Sequence, residues 1–296
     1  MELINFLSTD GLQLEGILYN TNNVKKEKVI LAIHGMASDC LRKRDFEIAK
    51  KSNQKGIDLF TFNNRGSEIS KYINRNIDGI VKKEILGMAY EDVLESDNDI
   101  IGAILKLKEM GYNKIYLQGH SLGCTKIVYA YNKMLDENKT DILNLINGIV
   151  LLSLIDIPMA IKVYLRENFI KYLKYAEEKQ KENKDTELMP EGSFIHPISV
   201  KTFLRYAKEN EKIDFAKYSQ DNKLEKLNNI KVPLFMRWGN QNEMIAQKAD
   251  ELSAIVNNII KNPYKNISYI DGANHSYEGK EEILAKEIID FIVNIT

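Results

Sequence analysis

One five-residue run, Gly119-His120-Ser121-Leu122-Gly123, constrains this chain more than any other stretch. It sets a serine between two glycines, each two positions away. That spacing suits a sharp turn from a strand into a helix, with the serine Oγ raised at the apex. The glycines leave room for strand, turn and helix to approach one another closely. The pattern alone is weak, because a serine in an ordinary Gly-rich turn also satisfies it; the flanks decide. Upstream, Lys114-Ile115-Tyr116-Leu117-Gln118 is a short β-branched and aromatic run after a turn at Gly111-Tyr112-Asn113. Downstream, Leu122, Ile127, Val128, Tyr131 and Leu135 mark one face of a helix that ends near Asn138. Strand, elbow and helix therefore occur in the required order, and Ser121 is a candidate nucleophile.

Two further motifs agree with the elbow. Ile33-His34-Gly35-Met36 closes the apolar run Val29-Ile30-Leu31-Ala32-Ile33, which reads as a buried parallel strand. In elbow-bearing folds the loop after such a strand gives one backbone N–H to the oxyanion hole, and by position that donor is Met36. The second donor is the residue after the nucleophile, Leu122. Gly272-Ala273-Asn274-His275-Ser276-Tyr277 follows the strand-like Asn266 to Ile270. A histidine in a small-residue loop there suits a general base. The chain has four histidines: His34, His120, His196 and His275. His34 precedes the elbow, which breaks the serine-acid-histidine order, so it is expected to brace its loop by hydrogen bonds. His120 lies inside the elbow and is expected to point away from the site. His196, before Pro197 in a polar stretch, reads as a surface residue. His275 alone has both the order and the local setting.

The periodicity along the chain predicts an α/β fold, a doubly wound and mainly parallel sheet. Leu3 to Tyr19 reads as a hairpin turning at Asp10-Gly11. A helix is expected from Ser38, capped by Ser38 or Asp39, to Lys55, then a strand at Ile57 to Phe62 and a polar loop at Asn63 to Ser67. Tyr90 to Met110 reads as helical, and Ile149 to Ile155 as a buried strand. Val232 to Arg237 and Ile267 to Ile270 are the last strands, followed by helices at Ile245 to Ile260 and Lys280 to Val293. The alternation breaks at 157–229, where no strand is convincing. A charged helix from Leu165 to Lys184, a loop with Pro190, Gly192 and Pro197, and a helix from Ser199 to Glu209 fill that stretch. Core segments 1–156 and 230–296 with a helical cap inserted at 157–229 is the expected division. The cap would lie above Ser121, exclude water and shape the pocket; its aromatic residues favour an apolar substrate.

Composition narrows the function. The 296 residues carry 41 Lys and Arg against 42 Asp and Glu, a formal net charge of -1. No excess of charge points to nucleic acid or to an anionic membrane. No basic region leads into an apolar core at the N-terminus, and the longest apolar run is too short to span a bilayer. The two cysteines, Cys40 and Cys124, read as packed thiols rather than a disulfide. A cytoplasmic location is expected, and oligomeric state is left open.

With these residues in view, the chain resembles the α/β-hydrolase superfamily over almost its whole length. The resemblance rests on Ile33 to Met36, Phe62-Asn63-Asn64-Arg65-Gly66, the elbow at Ser121, the inserted helices and His275. It is nearest to a capped, esterase-like branch of bacterial and fungal serine hydrolases. There the elbow helix carries a Lys and a Tyr, as Lys126 and Tyr129 do here, and a Gly-x-x-Asp-Glu turn supplies the acid. The resemblance implies cleavage of a small-molecule ester, thioester or lactone through an acyl-enzyme, without metal or organic cofactor. One position departs. The corresponding turn reads Gly239-Asn240-Gln241-Asn242-Glu243, so the Asp position falls on Asn242. An amide can orient a histidine but cannot offset the imidazolium charge. Three readings stay open: Glu243 reaches His275 through a small register shift, Asp156 supplies the acid from the preceding strand, or Asn242 is the third member. Two alternatives to hydrolysis follow: an acyltransferase using the same acyl-enzyme, and a non-catalytic binding protein of the same fold. Haloalkane or epoxide chemistry needs an Asp where Ser121 stands.

Overall fold

The computed structural model describes residues 1–21, 26–209, 212–214, 216–218 and 223–295. Strands β1 (Glu2–Leu7) and β2 (Gln13–Tyr19) form the opening hairpin, turning where Gly11 takes φ 88. Side chains alternate along it: Ile4, Phe6, Leu14 and Leu18 enter the core while Leu3 and Leu7 face solvent. Next come β3 (Lys28–Ile33), helix α1 (Lys43–Asn53) and β4 (Asp58–Phe62). Helix α1 begins later than Ser38, and neither Ser38 nor Asp39 caps it. Asp39 instead accepts from the Leu41 N–H at 2.8 Å and pairs with Arg42, while the Cys40 N–H is taken by Asn63 Oδ1 at 3.0 Å. These local bonds hold residues 38–42 in a turn and delay the helix.

A second hairpin, β5 (Lys71–Ile77) and β6 (Ile80–Leu86), was not foreseen from hydrophobic pattern, because only Ile73 and Leu86 of its strands are buried. Its signal was Asp78-Gly79, both at positive φ (51 and 84), the Asp-Gly pair of a tight two-residue turn. A single 3-10 turn capped by Asp92 then leads into α2 (Ser96–Glu109), so this helix starts after Tyr90. β7 (Lys114–His120), α3 (Leu122–Asp136), the short α4 (Thr140–Leu143) and β8 (Ile146–Leu152) follow.

The stretch after β8 is helical. α5 (Ile157–Leu165) is capped by Asp156, and Arg166 at φ 50 breaks the chain before α6 (Phe169–Lys181). The expected helix from Leu165 to Lys184 is thus α6, which starts four residues later, and α5 before it is a further helix that the sequence reading did not place. α7 (Val200–Ala207) is capped by Ser199, whose hydroxyl accepts from the Thr202 N–H. Residues 210–211, 215 and 219–222 of this stretch lie outside the described residues. The last elements are the short α8 (Glu225–Asn228), β9 (Leu234–Gly239), α9 (Ala249–Ile259), β10 (Lys265–Ile270) and α10 (Glu281–Asn294).

The main sheet has the order β1-β2-β4-β3-β7-β8-β9-β10. From β4 through β10 every pair is parallel; β2 pairs antiparallel with both β1 and β4. Central strands buried on both faces need apolar residues throughout, which is why β3, β7 and β8 lack alternation. Ile48 of α1 and Leu284 and Ile288 of α10 cover one face, and Ile104, Ile127, Met134, Leu252 and Val256 of α2, α3 and α9 cover the other. The helices after β8 share their own cluster, Ile161, Leu165, Phe169, Phe203 and Tyr206, which runs into Leu122 beside the elbow.

Helix α7 is fastened from below by buried polar bonds. The Tyr206 hydroxyl donates to Glu91 at 3.0 Å, and Lys126 of α3 donates to the other Glu91 oxygen at 2.5 Å and to Asn64 at 3.0 Å. Lys126 and Glu91 are both buried, so each satisfies a charge the interior would otherwise penalise. Burial beside Glu91 drives the Tyr206 phenol far above its ordinary pKa, so it stays a donor. Thr202 Oγ1 also bonds the Glu91 carbonyl, and Arg205 forks onto Asp92 at 2.9 and 2.8 Å.

Candidate active site

Ser121 joins β7 to α3 at φ 53, ψ -124, a conformation L-residues rarely take. The Ser121 N–H is held by the Leu152 carbonyl at 2.8 Å, and its own carbonyl accepts from the Cys124 N–H at 2.9 Å. The flanking glycines are required by close approach: a Cβ on Gly123 would lie 2.2 Å from the Ile33 carbonyl oxygen, and one on Gly119 would lie 2.7 Å from the Cys124 nitrogen. Strand β3, the elbow and α3 are thereby pressed together, which brings Gly35 and Met36 beside Ser121. Cys124 packs against the Leu152 carbonyl, and both cysteines are buried and free.

His275 follows β10 in a loop that side chains hold shut. Asn274 Oδ1 accepts from the Ser276 and Glu278 N–H groups at 3.1 and 3.0 Å. Tyr277, buried at φ 61, donates its hydroxyl to the Arg237 carbonyl at 2.8 Å. His275 Nδ1 bonds Glu243 Oε1. Glu243 is 3% exposed and satisfied on every side: Oε1 also accepts from the Met244 N–H at 3.1 Å, and Oε2 accepts from Ser153 Oγ at 2.7 Å and the Gly239 N–H at 3.0 Å. Burial alone would raise its pKa. The His275 hydrogen bond and charge, with Ser153 and Gly239, outweigh burial and hold the carboxylate below its ordinary range.

The other two candidates for the acid sit elsewhere. Asn242 is exposed at φ 50, and that left-handed residue turns the chain so that the next side chain enters the protein. Asp156 accepts from the Met159 N–H at 3.1 Å as the cap of α5, and burial raises its pKa. Asp271 is bonded to Asn240.

Ser121 and His275 line one cavity of about 450 Å³ at the carboxyl edge of the sheet, together with Met36 and Leu122. One wall is apolar: Ile155, Ile157, Ile161, Tyr164, Phe194 and Met244. The other is charged: Arg42, Lys43 and Arg44 from the start of α1, and Glu278 and Glu281 from the histidine loop and α10. His120 does not point away as expected. It lines the cavity, its Nε2 lies 2.7 Å from the His275 carbonyl, and the two rings are 5.0 Å apart. Burial, then the Arg44 charge, push its pKa well below the ordinary value, so it is neutral and can donate to that carbonyl. His34 is buried, accepts from the Asn64 N–H at 3.2 Å, and is pushed down to about 3 mainly by burial and by Lys126. Ser153 carried no motif; Asn274 and Tyr277 lay inside the histidine motif and His120 inside the elbow, but no spacing marked the bonds they make. Among the described residues no His, Cys, Asp and Glu group could hold a metal ion, and no helix is long and apolar enough to cross a membrane.

The sheet order, the crossover helices and the serine elbow define an α/β-hydrolase fold. Solved structures share it end to end. The siderophore hydrolase EstB from Aspergillus fumigatus superposes with a TM-score of 0.70 at 14% identity, covering 100% of this chain and 98% of that one. A highly thermostable carboxyl esterase from Bacillus coagulans, in complex with glycerol, gives 0.68 at 12% identity, covering 99% and 98%. Est1E from Butyrivibrio proteoclasticus with bound ferulic acid gives 0.65 at 14% identity, covering 98% of each. The chain belongs to the family described as "Protein of unknown function (DUF1749)", whose profile matches residues 91–295. Comparison with curated proteins gives no match.

Proposed function

We propose that this protein is a cytoplasmic carboxylic-ester hydrolase acting through an acyl-enzyme on Ser121, with thioesters and lactones as chemically equivalent substrates. The observation that carries this reading is His275, bonded to the buried Glu243 carboxylate, lining the same cavity as a strained elbow serine. His275 Nε2 takes the proton as Ser121 Oγ attacks the acyl carbon; Nδ1–H remains on Glu243, which fixes the tautomer and offsets the imidazolium charge. The N–H of Leu122 opens α3 and has no intrahelical acceptor, so it and the Met36 N–H receive the oxyanion. His275 then protonates the leaving group, and water repeats the sequence on the acyl-enzyme. The named activities of EstB and the Bacillus coagulans esterase support ester chemistry. Wild-type protein is expected to hydrolyse 4-nitrophenyl butyrate and to be modified by a fluorophosphonate, with peptide mapping placing the label on Ser121. Label on another residue, or none, removes the proposal. Turnover with an alcohol in place of water would favour the acyltransferase reading.

Residues 1–156 and 230–296 serve as the core in this reading, and 157–229 as the cap. Because α7 is fastened through Glu91 and Asp92 and the cavity is lined from this stretch by Ile157, Ile161, Tyr164 and Phe194, the part that sets substrate choice is α5 with the loop at Phe194. Ile161→Ala and Tyr164→Ala should alter the ratio of kcat/KM for octanoyl and acetyl esters by about tenfold, the worth of one or two methylene-sized contacts. An unchanged chain-length profile in both variants would make this part accessory.

A further inference from the structure

The charged wall of the cavity has no part in the steps just described, and its centre is Arg44. This side chain is only 5% exposed, yet it lines the cavity that holds Ser121. Its one counter-ion among the described residues is held loosely: Nε and Nη2 lie 3.2 and 3.4 Å from the Asp45 carboxylate, whose Oδ1 also accepts from Gln118 at 3.0 Å. Nη1 makes no hydrogen bond to a described residue. A guanidinium withdrawn from bulk water with donors to spare favours an anionic partner, and its planar fork matches a carboxylate. Of the neighbouring carboxylates Glu278 keeps its negative charge, because its partner Asn274 is a neutral amide, whereas Glu281 is ion-paired. Glu281 is bonded by Lys43 at 3.1 Å and Glu278 by Asn274 at 3.0 Å, while Arg42 adds a second guanidinium at the rim, paired with Asp39. Ile155, Ile157, Ile161, Phe194 and Met244 offer apolar contacts in the same cavity.

We infer that the ester cleaved here is amphipathic and carries a free carboxylate, bound by Arg44, with its apolar part against Ile157, Ile161 and Tyr164. This rests on the hydrolase reading for the word "cleaved", but the binding can be measured without turnover. Ser121→Ala protein should bind monomethyl adipate at least tenfold more tightly than methyl hexanoate by titration calorimetry at low salt. The advantage should shrink in 0.5 M NaCl, since part of it is a charge interaction. Adding Arg44→Met should remove the preference while leaving methyl hexanoate affinity within about threefold; Arg44→Lys should keep part of it, as a charge without the fork. Equal or weaker binding of the charged ester to the Ser121→Ala protein overturns the proposal, and needs no change at Arg44. So does an Arg44→Met protein, folded by circular dichroism, that loses both ligands equally. If wild type binds the charged ester but cleaves no ester, the hydrolase reading fails and the carboxylate site stands.

Discussion

Ser121→Ala should lower kcat/KM for 4-nitrophenyl butyrate by about 10⁴-fold or more and abolish fluorophosphonate labelling, because it removes the Oγ that forms the acyl-enzyme in the proposed mechanism. The variant should fold as wild type does. Alanine keeps the Cβ and the same strained dihedral, and no described residue depends on the hydroxyl for a hydrogen bond. Thermal unfolding should therefore stay within a few degrees of wild type while steady-state rates fall to the background. Retained activity in a folded Ser121→Ala protein would mean that the chemistry lies elsewhere.

Glu243→Gln should lower kcat by roughly 10³–10⁴-fold with little change in KM, as expected when a carboxylate that holds the tautomer and meets the imidazolium charge becomes an amide. It should also destabilise the fold, because the carboxylate accepts from four donors: His275 Nδ1, Ser153 Oγ and the N–H groups of Gly239 and Met244. An amide NH₂ must face at least one of them donor to donor. Asn242→Asp, exposed at its turn, should restore nothing. The pH dependence has a definite sign. The folded pKa of Glu243 lies below its ordinary value of 4.5, so its contribution to stability is present above that value and is lost as pH falls through the folded pKa. Denaturation midpoints of wild type and Glu243→Gln should converge on acidification below about 4.5. A silent Glu243→Gln beside a large loss in Asp156→Asn would transfer the acid role to the end of β8.

How much of this was legible in the sequence depended on whether the signal was local. The buried strands were readable because a chain covered on both faces has to be apolar throughout, and the elbow because two glycines are dictated by close approach at Gly119 and Gly123. Glu243 was left in competition with Asp156 and Asn242, since what separates them is the left-handed turn at Asn242, a conformation no spacing rule fixes. His120 was misplaced for the same reason: the carbonyl it bonds belongs to a loop 155 residues away. The β5–β6 hairpin escaped because its strands bury few residues, although Asp78-Gly79 was there to be read. The start of α1 was misjudged because Asp39 bonds its own neighbours instead of capping a helix.

The dihedrals of Ser121 bear on whether a chain of this kind could have drifted into mere ligand storage. A non-glycine residue at φ 53, ψ -124 carries a penalty of about 1–3 kcal/mol, a sizeable share of the margin that keeps a domain folded. A receptor of the same shape gains nothing from a hydroxyl held in that posture, and one codon change to glycine would relax it. Thermodynamic drift therefore runs against serine here, and only turnover opposes it. On this view Ser121→Gly relieves backbone strain and, in the same step, ends the proposed chemistry.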